Sequence, residues 1–336
     1  LSTRSKQSAK LLIRILITTG LLVWVFSQID LKQFALAVRT ARWQLLLAVW
    51  ATTLFFFLIR TVKMQLILKQ QDCTVSFATV FRASAVTSLY SMILPGLLST
   101  GAKWYILKRD SGKGSNVLCS MVYNQLSTLV IMLVFGLLAL MITNPVLVLK
   151  TNVNSRWLLP AICGILLTII IVTSLLLLNS RTGGKIINGL GLLLRPFSVK
   201  IRQKGRQMLE RIATFQTAGA GFHLMIASIT TIDTLVGGVI VYILSARAAN
   251  IQAPVGVLIW MYAAIFILGR IPISVANLGV REVTLVGFMT IYGVEKSQSL
   301  LMSMILFSVL VFMAVIGAIY QISWAFGSKK TVSAGQ

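Results

Sequence analysis

The chain has 336 residues, 57% of them hydrophobic and 11% charged, with a mean hydropathy of +0.88. Soluble domains carry about 25% charged residues, so a soluble fold is excluded, and no polar stretch is long enough to build a core of its own. The 31 Lys and Arg against 7 acids, net +24, sit mostly in short loops beside apolar runs. There the positive-inside rule and anionic lipid headgroups account for them, and nucleic acid is not needed as a partner.

A full span needs about 20 apolar residues. Residues 11–27 form the first candidate, with Arg14 snorkelling to the interface; no small-residue cleavage site follows, so an uncleaved span is expected rather than a signal peptide. Residues 30–42 hold Lys32, Arg39 and Arg42 among Phe34, Leu36 and Val38 and are expected at the interface. Residues 43–67 give a second span, bounded by Trp43 and by Arg60 and Lys63. Residues 77–98 are apolar but peppered with Ser and Thr, and end at Pro95-Gly96. A basic loop follows with Lys103, Lys108, Arg109 and Lys113. Further spans are expected at 115–142, 157–178, 217–246, 254–269 and 298–325, with a short apolar run at 283–293. The polar stretch 180–216, basic apart from Glu210, reads as an amphipathic helix on the cytoplasmic surface. Basic loops taken as cytoplasmic put both termini inside. The fold class expected is all-α: a polytopic helical membrane protein, one transmembrane domain over 1–336, with a first half at about 10–142 and a second at about 157–325.

Residues 270–282, Arg-Ile-Pro-Ile-Ser-Val-Ala-Asn-Leu-Gly-Val-Arg-Glu, interrupt this pattern. An unpaired charge at the centre of a membrane helix costs about 2.5–3.5 kcal/mol, and proline frees backbone groups that need other partners. Non-helical backbone at membrane depth is tolerated only inside protein or along a wet cavity. A re-entrant or broken helix lining a polar site is therefore expected. Pro95, Gly96, Gly101 and Lys103 echo Pro272, Gly279 and Arg281 with one residue less, which suggests two pseudo-repeated halves with the site between them. Pro95, Gly96, Gly101, Pro272 and Gly279 are the expected hinges.

At these residues the chain resembles the lysylphosphatidylglycerol synthase transmembrane family. Ile271 to Glu282, with Gly293-Val294 downstream, is similar to that family's C-terminal Pro-Ile-Ser…Gly-Leu-Gly-Val-Arg-Glu signature. Leu94-Pro95-Gly96…Lys103-Trp104-Tyr105 resembles its first. The likeness runs from about residue 10 to 325. It implies a polytopic domain of a bacterial or archaeal plasma (inner) membrane, which in the synthases acts as a lipid flippase fused to a soluble aminoacyl-transferase domain. That domain is not in this sequence, so the resemblance is to stand-alone members. Three departures stand out. Ser99-Thr100-Gly101 replaces a Gly-Gly-Asp-like stretch, Asn124-Gln125 replaces an Asp-Arg pair, and Asn277 replaces a glycine. The lost acids argue against a cationic lysyl-lipid as substrate.

Arg270, Arg281 and Glu282 are the leading candidates, since arginine binds phosphate bidentately and stays charged when desolvated. Glu282 has two readings: it offsets Arg281 in an empty site, or it caps a helix N-terminus. Asp233 lies amid Ile229, Thr230, Thr231, Ile232 and Leu235. Such an acid forms a structural ion pair, here with Arg270 or Arg281, or relays protons. Asn277, Asn124, Gln125 and Lys103 complete the candidate substrate-binding set. Cys73, Cys119 and Cys163 show neither a disulfide framework nor metal spacing, lone His223 reads as interfacial, and no cofactor is implied. With no paired carboxylates, metal set or phosphate loop, an enzyme is disfavoured. The expected function is a flippase for a phospholipid or lipid-linked headgroup, with anionic headgroups as partners. The alternative is a non-catalytic membrane subunit that anchors or regulates a partner synthase or glycosyltransferase. Homo-oligomerisation stays open.

Overall fold

Hydrocarbon offers no partners to backbone N–H and C=O groups, so an apolar chain of this kind satisfies them within helices. The structure, a computed structural model, describes residues 31–93, 96–147, 157–178, 215–270 and 278–332, besides Thr19, Ser27 and Ser274. Every regular element among them is helical. In chain order they are α1 (Leu31–Thr40), α2 (Gln44–Gln70), α3 (Phe77–Ile93), α4 (Gly96–Ser111), α5 (Gly114–Thr143), α6 (Leu158–Leu178), α7 (Gly219–Ala248), α8 (Val255–Leu268), α9 (Val280–Ile291) and α10 (Lys296–Val332).

Among these, α2, α5, α6, α7 and α10 are long and apolar enough to cross a membrane. The protein is thus an all-helical multi-pass membrane protein. At about 1.5 Å per residue, α8 and α9 reach about 21 and 18 Å, short of the roughly 30 Å hydrocarbon core. They flank the interruption expected around 270–282, of which Ile271–Ile273 and Val275–Asn277 lie outside the described residues. The expected first span (11–27), apart from Thr19 and Ser27, and the basic stretch 180–216, apart from Phe215 and Gln216, also lie outside them. So do the hinge prolines Pro95 and Pro272.

Two short helices between two long ones occur twice in chain order, in α2–α5 and in α7–α10. Packing crosses between the two sets: α3 lies along α10, α8 lies along α5, and α2 meets the C-terminal half of α7. The α3–α10 contact depends on Gly317, where a Cβ would stand 2.2 Å from the Ala85 carbonyl oxygen. Trp50 of α2 reaches α10, stacking on Phe312 at 5.2 Å and donating its indole N–H to Ser308 Oγ at 3.0 Å. The amphipathic α1, expected at the interface, is tied to the α7–α8 turn: Arg42 N donates to Ala248 O at 3.0 Å and Asn250 Nδ2 to Thr40 O at 2.8 Å.

Two boundaries differ from the sequence reading. The stretch 103–113 is not a loop; most of it is the helix α4, because Leu107 packs into a core with Met64, Leu68 and Val117 and outweighs the surrounding charge. The second span, expected at 43–67, runs slightly further, and Arg60 and Lys63 lie within it rather than bounding it. α2 continues to Gln70, with Met64, Ile67 and Leu68 buried.

Candidate functional site

Asp233 lies near the midpoint of α7, about 21 Å from its start. Residues Thr231–Val236 there form one π-helical turn, a widening often found at functional sites. The Asp233 carboxylate is 1% exposed. Its partners are neither Arg270 nor Arg281 but two bases of α2. Oδ2 lies 3.1 Å from Lys63 Nζ and 3.4 Å from Arg60 Nε, and Oδ1 accepts from Thr234 Oγ1. Lys63 is itself 1% exposed and also donates to Thr128 Oγ1 at 3.4 Å. The Arg60 side chain is 45% exposed. These bases sit one helical turn apart, which is why they reach the same acid.

A second cluster forms at the start of α9. Gly279 has φ +84°, a conformation that L side chains rarely adopt. The turn returns Glu282 to the helix end, where Oε2 accepts the Gly279 N–H at 2.6 Å. Glu282 Oε1 accepts from Arg281 Nη2 at 2.5 Å and from Ser303 Oγ at 2.9 Å, and Arg281 Nε donates to Ser303 Oγ at 2.8 Å. The guanidinium lies 5.5 Å from the Phe307 ring centroid. Glu282 therefore fulfils both of its readings: it caps α9 and neutralises its neighbour. Of the described acids, only Asp233 and Glu282 are buried.

The two clusters border one cavity of about 420 Å³. Its wall takes Phe56, Phe57 and Arg60 from α2, Asp233, Gly237, Gly238, Val241 and Tyr242 from α7, and Tyr262 and Phe266 from α8. Ser88 of α3, Arg270, Arg281 and residues of α10 also line it. A Cβ at Gly238 would stand 2.2 Å from the Tyr262 ring, so glycine lets that ring lie against α7. Arg270 is exposed, donates to Gln125 Oε1, and stacks over Phe266 at 4.5 Å. This volume falls within the range of ordinary small-molecule sites.

The other predicted residues divide. Gln125 reaches the cavity through Arg270. Asn124 faces Ser127 and Thr128 with its carbonyl, while its buried Oδ1 has no hydrogen-bond partner among the described residues. Lys103 does not line the cavity but lies within the fields of Arg60 and Lys63. Gly96 opens α4, whereas Gly101 lies inside that helix and not at its start. Asn277 is outside the described residues. His223 is hydrogen-bonded to Tyr123 through Nδ1 at 2.7 Å and does not line the cavity. Sequence reasoning missed Arg60 and Lys63 as site residues, together with Tyr262 and the Gly237-Gly238 pair.

The family described as the lysylphosphatidylglycerol synthase TM region matches residues 11–318. The chain belongs to that family. The match covers both clusters and the whole cavity wall, and it is to the transmembrane region of those synthases. No curated protein and no solved structure matches the chain.

Proposed function

We propose that this member of the synthase transmembrane-region family carries a phospholipid or lipid-linked headgroup across the plasma membrane through the cavity between α2, α7, α8 and α10. The observation that carries this reading is the placement of Arg60, Arg270 and Arg281 around one cavity beside an acid at mid-helix depth. Charge is expensive there, and a passing phosphate would explain why arginine is kept. Arginine offers a planar fork to phosphate without losing its proton. Acyl chains would remain in the bilayer while the headgroup crosses. On this reading α2–α5 and α7–α10 are repeats of one transmembrane unit whose relative rocking exposes the site to each leaflet in turn. The chain is then a carrier and not a catalyst, with both termini cytoplasmic.

The test is headgroup crossing in proteoliposomes loaded with fluorescent anionic, zwitterionic or cationic phospholipids. Wild-type protein is expected to speed the anionic class above the protein-free rate. Arg270→Gln and Arg281→Ala are expected to slow it by about tenfold or more, the loss of one charge-assisted contact. Protein-free rates for all three classes would contradict the proposal.

A further inference from the structure

We infer that the cavity is built for a headgroup carrying two negative charges, held between Arg60 and Arg270; this rests on the lipid-carrier reading above. Four bases, Arg60, Lys63, Arg270 and Arg281, stand at or behind the cavity wall, against two carboxylates, Asp233 and Glu282. Glu282 is committed to Arg281 and to the α9 N-terminus. Asp233 is shared, but unequally. Lys63 is the nearer base and fully buried, so an unpaired Lys63 would bear the larger desolvation penalty. Its claim on the carboxylate leaves the half-exposed Arg60 only partly neutralised. Arg270 is held by the neutral amide of Gln125 and the face of Phe266; among the described residues no carboxylate lies against it.

Among the described residues the bases thus exceed the acids by two charges, one in the cluster of Arg60, Lys63 and Asp233 and one on Arg270 just after α8. Arg60 and Arg270 both line the same cavity, as does Tyr262, whose ring lies against Gly238. In a low-dielectric cavity two like charges repel strongly. A phosphodiester bearing one charge relieves half of that excess; a phosphomonoester or diphosphate relieves all of it. The headgroup class is therefore a lipid phosphomonoester or diphosphate diester, and the same two-charge chemistry in water is free phosphate.

The experiment is calorimetric titration of the full chain in detergent at pH 8, where a phosphomonoester carries its second charge. The probes are dihexanoyl phosphatidic acid, dihexanoyl phosphatidylglycerol and sodium phosphate. Phosphatidic acid is expected to bind about tenfold or more tighter than phosphatidylglycerol. Arg60→Gln and Arg270→Gln are each expected to bring it down to the phosphatidylglycerol value, while Arg60→Lys retains the preference. Arg270→Gln alters an exposed side chain and keeps the test valid should Arg60→Gln fail to fold. Equal affinities for the two lipids, or a preference that survives both Gln variants, would overturn the inference. Phosphate is expected to compete only at far higher concentration; displacement at the lipid's own concentration would overturn the lipid source. Lipid crossing without a charge preference would sink this inference and leave the carrier reading standing. A charge preference without crossing would do the reverse.

Discussion

Replacing Asp233 by Asn strands Lys63, a base with almost no exposure and no other acid within reach among the described residues. Breaking one side of a buried pair costs about 3–5 kcal/mol, whereas replacing both sides with apolar groups is often near neutral. Thermal denaturation in detergent is therefore expected to show a lower Tm for Asp233→Asn, with most of the loss recovered in Lys63→Met/Asp233→Leu. A double variant as unstable as the single would mean that the pair is not what holds α2 to α7. Asp233 was legible in the sequence because an isolated acid among Ile229, Ile232 and Leu235 is expected to pair or to relay protons. Its partners were not. Arg60 and Lys63 sit near the end of the expected span, where positive-inside charges also sit. The Arg281–Glu282 pair was legible as a unit because the two are adjacent and follow a glycine.

Gly238 and Gly317 hold elements at distances that a methyl group would not allow. Gly238→Ala would push the Tyr262 ring away from α7 and into the cavity. A lipid-crossing rate several-fold below wild type is expected, with a stability loss of about 1–3 kcal/mol from overpacking. Gly221→Ala, on the same helix with open space around it, is the matched control and is expected to behave as wild type. Gly317→Ala acts elsewhere: its neighbour is backbone, so α3 and α10 must separate, and Tm should fall more than for Gly238→Ala. Equal Tm values for Gly317→Ala and wild type would show that the crossing is looser than described. Long apolar helices such as α5 and α6 were readable to within a residue or two, since hydrophobic length alone defines them. α4 was not, because a helix start at Gly96 and a buried Leu107 are tertiary facts hidden behind Lys103, Lys108 and Arg109. The π-turn around Asp233 leaves no mark in the composition of α7.

At the scale of the whole molecule, the two sets of helices pack crosswise and the cavity lies where α2 and α7 meet. Multi-pass helical architecture followed from hydropathy and charge density. The cavity did not follow, because its wall draws on α2, α3, α7, α8, α9 and α10, and no local pattern records which faces of six elements converge. The measurement that most directly tests the cavity as the route is phosphatidic acid crossing in proteoliposomes by wild type and by Val241→Trp. Val241 lines the cavity and carries no charge, so the indole occupies the space while every ion pair remains. The account predicts that crossing by Val241→Trp falls to the protein-free rate while its Tm stays within a few degrees of wild type, about 1 kcal/mol for a chain of this size. Crossing at the wild-type rate through a folded Val241→Trp protein would contradict it.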